Sequence, residues 1–280
     1  MKYYHLIFFI SCVAANTCVV EDSSKVDCGY AGINSDECVA KGCCWSPAGT
    51  NSATPWCFNA VTDSQTGYNL DSLSTTSYGY SGVLSKIGSG STTYGTDISK
   101  LKLEVYLLTT DTIRIKIDDI NAGRWQIPQS VVQRRDSGAA VTTTDYNFTY
   151  TNSPFTFEVI RKSDGVSIFK SKESLLFKNQ YIELSTDLDS KAKTFGLGES
   201  ARTNHALKTG RTYTLWAADV AALGKDQNLY SSMPLYIQML NGKAHGALLL
   251  NRFASNVKPC LLLHFNDCCY FILDAVMAWT

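Results

Sequence analysis

Isoleucine alternates with charged residues in the stretch Ile113-Arg114-Ile115-Lys116-Ile117-Asp118. Successive side chains of a β-strand point to opposite faces of a sheet, so this pattern predicts a strand with one apolar face and one wet face. The stretch Leu101–Tyr106 alternates in the same way. No segment of ten or more residues carries an apolar stripe at helical spacing. The sequence therefore predicts a mainly β protein.

Two dipeptides predict where the chain turns back on itself. Asn241-Gly242 lies between the apolar runs Leu235–Leu240 and Ala244–Leu250, and Asp164-Gly165 separates another pair of such runs. Asparagine, aspartate and glycine tolerate the positive φ angles of tight hairpin turns. Repeated short strands joined by such turns indicate an antiparallel sandwich.

Residues 1–15 have the composition of a secretory signal peptide. Lys2 precedes an apolar run from Leu6 to Ala15, and Val13-Ala14-Ala15 offers small residues for cleavage after Ala15. The run is shorter than the roughly 20 apolar residues of a membrane span. The pattern predicts entry into the secretory pathway, with an extracellular or lysosomal destination and no membrane span.

Cysteine usage agrees with an oxidising compartment. Of the ten cysteines, six lie between Cys18 and Cys57, and none lies between Asn59 and Pro259. A dense, even set in so short a segment indicates a disulfide framework, although spacing alone leaves fifteen pairings open. A zinc site is the alternative, but the segment contains no histidine, and we expect no metal there.

The overall charge argues against a nucleic-acid partner. Twenty-five basic and 25 acidic residues cancel, and the chain has no basic patch. Asn147-Phe148-Thr149 is an N-glycosylation signal, for which we expect a surface loop. The polar segment 61–76 reads as a linker.

The cysteine-rich segment resembles a P-type trefoil domain, which we assign to residues 16–60. The resemblance rests on Cys28-Gly29, Gly42-Cys43-Cys44-Trp45 and Trp56-Cys57-Phe58. Trefoil domains often bind glycans, so Trp45, Trp56 and Tyr30 are candidates for stacking on a sugar, or else they pack a small core. The resemblance implies three disulfides: Cys18 with Cys44, Cys28 with Cys43, and Cys38 with Cys57.

Residues 77–256 resemble the N-terminal β-domain of glycoside hydrolase family 31, the α-glucosidase and α-xylosidase family. The resemblance rests on several motifs in a fixed order: Asp97–Val105, Leu176–Thr186, Phe195-Gly196-Leu197-Gly198-Glu199, Tyr213–Asp219 and Leu248–Asn251. It implies a galactose-mutarotase-like antiparallel β-sandwich.

The same resemblance implies one substrate-binding residue. In that family an aspartate on a loop of the sandwich contacts sugar hydroxyls, and Asp219 matches it. A carboxylate accepts two hydroxyl hydrogen bonds, which suits a vicinal diol. The alternative is that Asp219 caps a turn or is merely solvated. Glu199 is expected to be structural, tying the turn from Gly196 to Gly198.

No catalytic residue can be assigned. Family members use two carboxylates on a barrel that follows this domain, and the Trp-any-Asp-Met-Asn run of the nucleophile does not occur in the sequence. The pairs Asp118-Asp119 and Asp187-x-Asp189 are expected to be solvated. His205 and His245 are read as surface or core residues. We expect no cofactor.

The tail, residues 257–280, departs from the family pattern, and we expect it to be an alternative end to a longer reading frame. His264 with Cys268-Cys269 could hold a metal instead. Two functions remain open. The chain is the N-terminal, non-catalytic portion of a secretory-pathway α-glucosidase, or it is a free-standing glycan-binding protein. Its expected partners are α-linked glucosides or other glycans.

Overall fold

A computed structural model of the chain describes residues 18–19, 25, 27–47, 54–59, 67–88, 96–122, 128–131, 138–172, 175–179, 181–209, 211, 213–215, 217–220, 225–250, 255–257 and 276–279. The predicted signal peptide, Trp216, His264 and the tail cysteines lie outside these residues. The chain divides into two compact units, Met1–Gln65 and Thr66–Thr280.

The first unit is built on one short helix and one short hairpin. Helix α1 (Ser35–Ala40) is followed by strands β1 (Cys44–Trp45) and β2 (Cys57–Phe58), which pair antiparallel. Asn34 caps the helix by accepting a hydrogen bond from the Glu37 amide, and Glu37 reaches back to the Asn34 amide. This reciprocal capping box satisfies amides that a helix of six residues leaves without partners.

Disulfides supply most of the cross-linking in this unit. The structure joins Cys18 to Cys44, Cys28 to Cys43, and Cys38 to Cys57. These are the pairs that the trefoil pattern implies. Because the unit has little apolar surface to bury, the bridges stabilise it mainly by restricting the unfolded chain.

The second unit consists of antiparallel strands. They are β3 (Tyr68–Thr76), β4 (Gly79–Lys86), β5 (Lys100–Thr109), β6 (Thr112–Asp119), β7 (Tyr146–Asn152), β8 (Phe155–Arg161), β9 (Ser167–Lys170), β10 (Leu176–Phe177), β11 (Ile182–Glu183), β12 (Lys193–Ala201), β13 (Tyr213–Leu215), β14 (Gln227–Leu240), β15 (Lys243–Leu249), β16 (Ser255–Val257) and β17 (Val276–Trp279).

One large sheet and a smaller one enclose a common core. The large sheet has eight strands in the order β12-β14-β15-β17-β6-β5-β4-β3, and β7-β8-β9 form the smaller sheet. Two further pairs, β10-β11 and β13-β16, complete the described strands. Leu103 and Ile115 from the large sheet join Phe157 and Phe169 from the smaller one in a single buried cluster. The prediction of a mainly β, antiparallel sandwich is confirmed.

The hairpin turns lie where the sequence predicts them. Asn241 and Gly242 have φ angles of 53° and 76° between β14 and β15. Gly165, with φ of 71°, lies between β8 and β9. The alternating stretch Ile113–Asp118 lies in β6, and its isoleucines are buried.

The interpretation of 61–76 as a linker is wrong for its second half. Residues Tyr68–Thr76 form β3, the edge strand of the large sheet. Tyr68 is completely buried, and its hydroxyl donates to the carbonyl oxygens of Ile98 and Phe177 at 2.7 and 3.1 Å. The Ser/Thr residues that suggested a linker belong to the solvent-facing part of this edge strand.

Part of the unrecognised tail enters the large sheet. The backbone of β17 pairs with β15 on one side and with β6 on the other, with Ala278 opposite Ala247 and Ile113. Within the described residues, β17 therefore connects the two halves of the sheet.

The glycosylation signal lies on a strand and not on the expected loop. Asn147 is exposed near the start of β7, at the open end of the hairpin β7-β8, opposite Ile160. Its side chain remains accessible because only alternate residues of β7 face the core.

The described residues include no helix long and apolar enough to cross a membrane.

Candidate substrate-facing surface

Asp219 lies in the segment that connects β13 to β14. The residue is exposed, whereas its neighbour Ala218 is buried. The Ala218 amide donates to the Leu229 carbonyl oxygen at 2.7 Å, which fastens the segment to β14 directly before the aspartate. The carboxylate is thus presented to solvent from an anchored backbone, where it can accept hydroxyl hydrogen bonds.

Arg202 organises the backbone beside this segment. Its Nη1 donates to the Gly196 carbonyl oxygen at 2.7 Å and its Nη2 donates to the Leu197 carbonyl oxygen. The guanidinium also lies over the Tyr213 ring, 4.5 Å from the centroid. Burial lowers the pKa of Arg202. One side chain therefore joins β12 to β13, the strand that leads to Asp219.

Gly196 is required where β12 approaches β14. Its φ is 108°, and a Cβ added here would lie 2.3 Å from the Leu235 carbonyl oxygen. The next residue, Leu197, has φ of 60° and is buried in the core. The Phe-Gly-Leu-Gly motif thus directs one leucine inward, while Gly196 lets the two strands approach closely.

Two grooves share Arg202 and Ser200. The larger, of about 370 Å³, is lined by Phe195, Gly196, Leu197, Gly198, Ser200, Arg202, His205, Met233 and Leu235. The smaller, of about 180 Å³, is lined by Ser200, Arg202, Arg211, Tyr213, Asp226, Gln227 and Asn228. The larger groove combines apolar side chains with two basic ones, Arg202 and His205. The second is polar, with the Arg211 and Asp226 side chains 3.8 Å apart.

One expectation about the acidic residues is wrong. The expected structural role of Glu199 stays a prediction: the residue is exposed and accepts a hydrogen bond from Ser231 Oγ at 3.4 Å, while Arg202 bonds the carbonyls of Gly196 and Leu197. Asp118, expected to be solvated, is only 6% exposed and lies 3.9 Å from the Lys116 amine.

The remaining sequence candidates divide between surface and interior. His205 is exposed in the larger groove, and His245 is buried.

In the described part of the chain, one group of three side chains is close enough to share a metal ion: Cys28, Cys43 and Cys57. All three are in disulfides.

Two trefoil aromatics are exposed. Trp56 and Tyr30 are 49% and 55% exposed, and the Trp45 and Trp56 rings meet edge to face with centroids 5.9 Å apart. The Tyr30 hydroxyl donates to Glu37 at 2.9 Å. Exposed, fixed rings of this kind are suited to stacking on a flat apolar face of a ligand.

Residues 102–257 match the family described as the glycosyl hydrolase 31 N-terminal galactose mutarotase-like domain. This match covers more than half of the chain. The chain belongs to glycoside hydrolase family 31. Residues 18–60 match the trefoil (P-type) domain.

Curated glycosidases are about one-third identical to this chain over the aligned residues. Lysosomal alpha-glucosidase from Rattus norvegicus is 33% identical over 248 residues, which is 86% of this chain and 25% of that protein. Intestinal sucrase-isomaltase from Homo sapiens is 32% identical, covering 79% of this chain and 12% of the relative. Alpha-xylosidase 1 from Arabidopsis thaliana is 36% identical, covering 56% and 20%.

Solved glycosidase structures share the fold. The glucosidase II alpha subunit superimposes with a TM-score of 0.57 at 16% identity, over 78% of this chain and 33% of the other. A family 31 dextranase from Flavobacterium johnsoniae gives a TM-score of 0.51 at 16% identity, over 77% and 26%. This chain spans a quarter or less of the length of each of the three curated relatives named above.

Sequence reasoning predicts a role for Asp219, which stays a prediction, and it does not single out Arg202. The motif that led to Asp219 is local, since it runs along one segment from Tyr213. Arg202 acts through contacts with Gly196, Leu197 and Tyr213. Its position just after the Phe-Gly-Leu-Gly-Glu motif was the one available signal.

Proposed function

We propose that this chain is the N-terminal, non-catalytic part of a secretory-pathway α-glucosidase. In this proposal the β-sandwich forms one wall of the sugar-binding site, and Asp219 accepts hydrogen bonds from sugar hydroxyls. The supporting observation is the exposed Asp219 carboxylate, presented from a backbone that the Ala218–Leu229 hydrogen bond anchors. The curated relatives named as lysosomal or intestinal glucosidases support the compartment.

Catalysis in this proposal comes from residues beyond the matched domain. Retaining glycosidases need a nucleophile and a general acid about 5 Å apart, and the family's nucleophile run does not occur in the sequence. The role of the sandwich is to orient the sugar. An aspartate that hydrogen-bonds two hydroxyls limits rotation of the ring and contributes to substrate positioning.

The test uses a chimera in which residues 1–257 replace the matching segment of rat lysosomal alpha-glucosidase. Asp219→Asn removes the charge and keeps the shape, and hydrogen bonds to a charged group contribute about 1.5–3 kcal/mol. We expect kcat/KM for an aryl α-glucoside to fall at least about tenfold. Asp189→Asn is the matched control, because the exposed Asp189 accepts from the Lys191 amide and asparagine can still do so. An Asp219→Asn chimera as active as the unsubstituted one would contradict the proposal.

The alternative is a free-standing glycan-binding protein, which the exposed Trp56 and Tyr30 of the trefoil favour. Aromatic rings stack on the apolar faces of sugars. Titration of the intact chain with maltose and with mucin-type glycans, followed by isothermal titration calorimetry, separates the two proposals. Saturable binding that Trp56→Ala abolishes and Asp219→Asn leaves unchanged would support the alternative.

A further inference from the structure

The edges of the two larger sheets differ in how they are protected against pairing with another strand. The eight-stranded sheet ends in β12 and β3, and the three-stranded sheet ends in β7 and β9. An edge strand presents backbone N–H and C=O groups that can pair with another chain, and charges or bulges along the strand discourage such pairing.

Three of these four edges carry charges together with a register shift. The register of β3 shifts beside the exposed Asp71. The register of β12 shifts twice, and this strand carries the exposed Lys193 and Glu199. Strand β9 has only 4 residues and ends at the exposed Lys170, and its ladder with β8 also contains a shift.

Strand β7 has neither form of protection. The stretch Tyr146–Asn152 contains no charged residue, and its 7 residues pair with β8 in unbroken register. Among the described strands, β8 is its one neighbour. Alternate residues of an antiparallel strand direct their N–H and C=O groups away from the partner. A regular, uncharged edge of this kind, with Tyr150 45% exposed, is suited to the addition of another strand.

The one Asn-x-Ser/Thr signal of the sequence lies on this unprotected edge. Asn147 and Thr149 are both exposed, whereas Tyr146 is buried in the core and Phe148 packs against it. The side chain of Asn147 therefore stands on the outer face of the small sheet. A strand added to β7 would lie only about 4.8 Å away, which is much less than the width of an oligosaccharide.

We propose that Asn147 carries an N-linked oligosaccharide that prevents β7 from pairing with β7 of a second copy of this chain. The modification joins Asn147 Nδ2 to C1 of the first N-acetylglucosamine and breaks the bond from C1 to the diphosphate of a polyprenyl-linked oligosaccharide donor. The lipid diphosphate leaves with the bonding electron pair, and Nδ2 releases one proton to solvent. The inference rests on the proposed secretory-pathway location and is independent of sugar binding at Asp219.

A second copy fits the open edge because β7 can pair with itself. Two β7 strands running antiparallel about a twofold axis make the same contact on both chains and extend the small sheet continuously from one copy into the other. Thr149 is the central residue of β7, so it would lie close to its own counterpart across this axis. The oligosaccharide on each Asn147 would crowd the outer face of the other copy's β7 and so oppose the pairing.

The first measurement is the occupancy of Asn147. The chain is expressed in eukaryotic cells with a host signal peptide in place of residues 1–15, so that the result does not depend on the compartment assigned under the proposed function. A peptide N-glycosidase acting in heavy-oxygen water converts each modified asparagine into labelled aspartate, which peptide mass spectrometry detects. We expect the label at Asn147 in the parent and in Thr149→Ser, and its absence in Thr149→Ala. An unlabelled Asn147 in the parent overturns this proposal and leaves the role of Asp219 untouched.

The second measurement compares self-association of two matched variants. Thr149→Ala and Thr149→Lys both remove the glycosylation signal and the 3.5 Å hydrogen bond from Thr149 Oγ1 to the Glu158 carbonyl oxygen, so they differ in charge at the edge. Light scattering after size exclusion should show at least about fivefold more associated chain for Thr149→Ala than for the parent. Thr149→Lys should stay at the parent level, because two lysines would face each other across the twofold axis.

A third measurement needs no substitution. An endoglycosidase that trims the oligosaccharide of the folded parent to its first sugar should raise association in the same way as Thr149→Ala. The proposal is overturned if neither trimming nor Thr149→Ala increases association, or if Thr149→Lys associates as strongly as Thr149→Ala.

Discussion

The Arg202 guanidinium lies 4.5 Å from the centre of the Tyr213 ring, and it also donates to two carbonyl oxygens of β12. Tyr213 in turn accepts a hydrogen bond from the Lys208 amide at 2.7 Å. This stack connects the glycine-rich strand to the segment that carries Asp219. The geometry suits arginine, whose planar group can stack and donate in a fork at the same time.

Arg202→Lys should therefore destabilise the sandwich although it preserves the charge. Lysine cannot make both carbonyl contacts and the stack, so we expect the free energy of unfolding to fall by about 2 kcal/mol. Urea denaturation measures the change. Arg211→Lys is the comparison, because Arg211 also lies over the Tyr213 ring, 5.2 Å from the centroid, but among the described contacts its guanidinium makes no fork of hydrogen bonds to backbone carbonyls. Its exposed pair with Asp226 contributes at most about 1 kcal/mol, so this variant should lose less stability. Equal effects of the two substitutions would contradict the role given to Arg202.

Gly196→Ala should be strongly destabilising. A Cβ at this position would lie 2.3 Å from a backbone oxygen of β14, and the φ of 108° is unfavourable for alanine. We expect a loss of about 3 kcal/mol or more in urea denaturation. Gly165→Ala is the comparison, since its φ is also positive but nothing lies within 4 Å. That substitution should cost about 1 kcal/mol.

His245 should make the sandwich less stable in mild acid. Burial, with Arg161 nearby, lowers the pKa of its imidazole to about 4. Between the unfolded pKa of about 6.5 and pH 4 the unfolded chain binds a proton that the native state does not, so stability falls as the pH falls. His245→Gln should flatten this slope in denaturation curves recorded from pH 7 to pH 4. An unchanged slope would show that His245 is not its source.

Glu183 should make the sandwich less stable as the pH rises. Burial raises the pKa of its carboxyl to about 7, although the Tyr181 hydroxyl donates to it at 2.7 Å. From the unfolded value near 4.3 up to pH 7 the native state keeps a proton that the unfolded chain has lost, so stability falls as the pH rises. Glu183→Gln should remove this loss and raise the unfolding free energy at pH 8 by about 1–2 kcal/mol. A variant no more stable than the parent at pH 8 would contradict the assignment.

Ala278→Pro tests whether β17 holds the two halves of the large sheet together. Proline has no amide hydrogen, and β17 has hydrogen-bonded neighbours on both sides, β15 and β6. We expect a loss of about 3 kcal/mol. Ala278→Gly keeps the amide and should cost about 1 kcal/mol. If both variants denature like the parent chain, β17 does not contribute to the sheet's stability.

The sequence predicts the strands that have a strictly local signal. Ile113–Asp118 and the Asn241-Gly242 turn are examples, because alternation and turn chemistry act within a few residues. Tyr68–Thr76 reads as a linker in the sequence because an edge strand exposes many polar side chains. The placement of β17 between β15 and β6 depends on pairing between distant segments, for which the tail carries no sequence signal.

The same distinction, between signals local in the sequence and contacts between distant segments, applies to the candidate site. Asp219 is recognisable because its motif is contiguous, whereas the burial of Asp118 depends on its surroundings in the folded sheet. Arg202 could be identified only once Gly196 and Tyr213 had been brought next to it. The exposed side chains of Met233, Ile237 and Met239 cannot be recognised from the sequence, because they alternate with buried residues on β14 and the strand reads simply as hydrophobic.

The three disulfides join residues between Cys18 and Cys57, and the sequence from Asn59 to Pro259 contains no cysteine. The two units should consequently respond differently to the redox potential of the cell that makes them. Synthesis in a reducing cytosol would leave the trefoil without its covalent bridges, while the packing of the sandwich core would be untouched. A preparation from bacterial cytoplasm could therefore give a well-folded sandwich and an unfolded trefoil on one polypeptide, and glycan binding measured on such material would report on the sandwich alone.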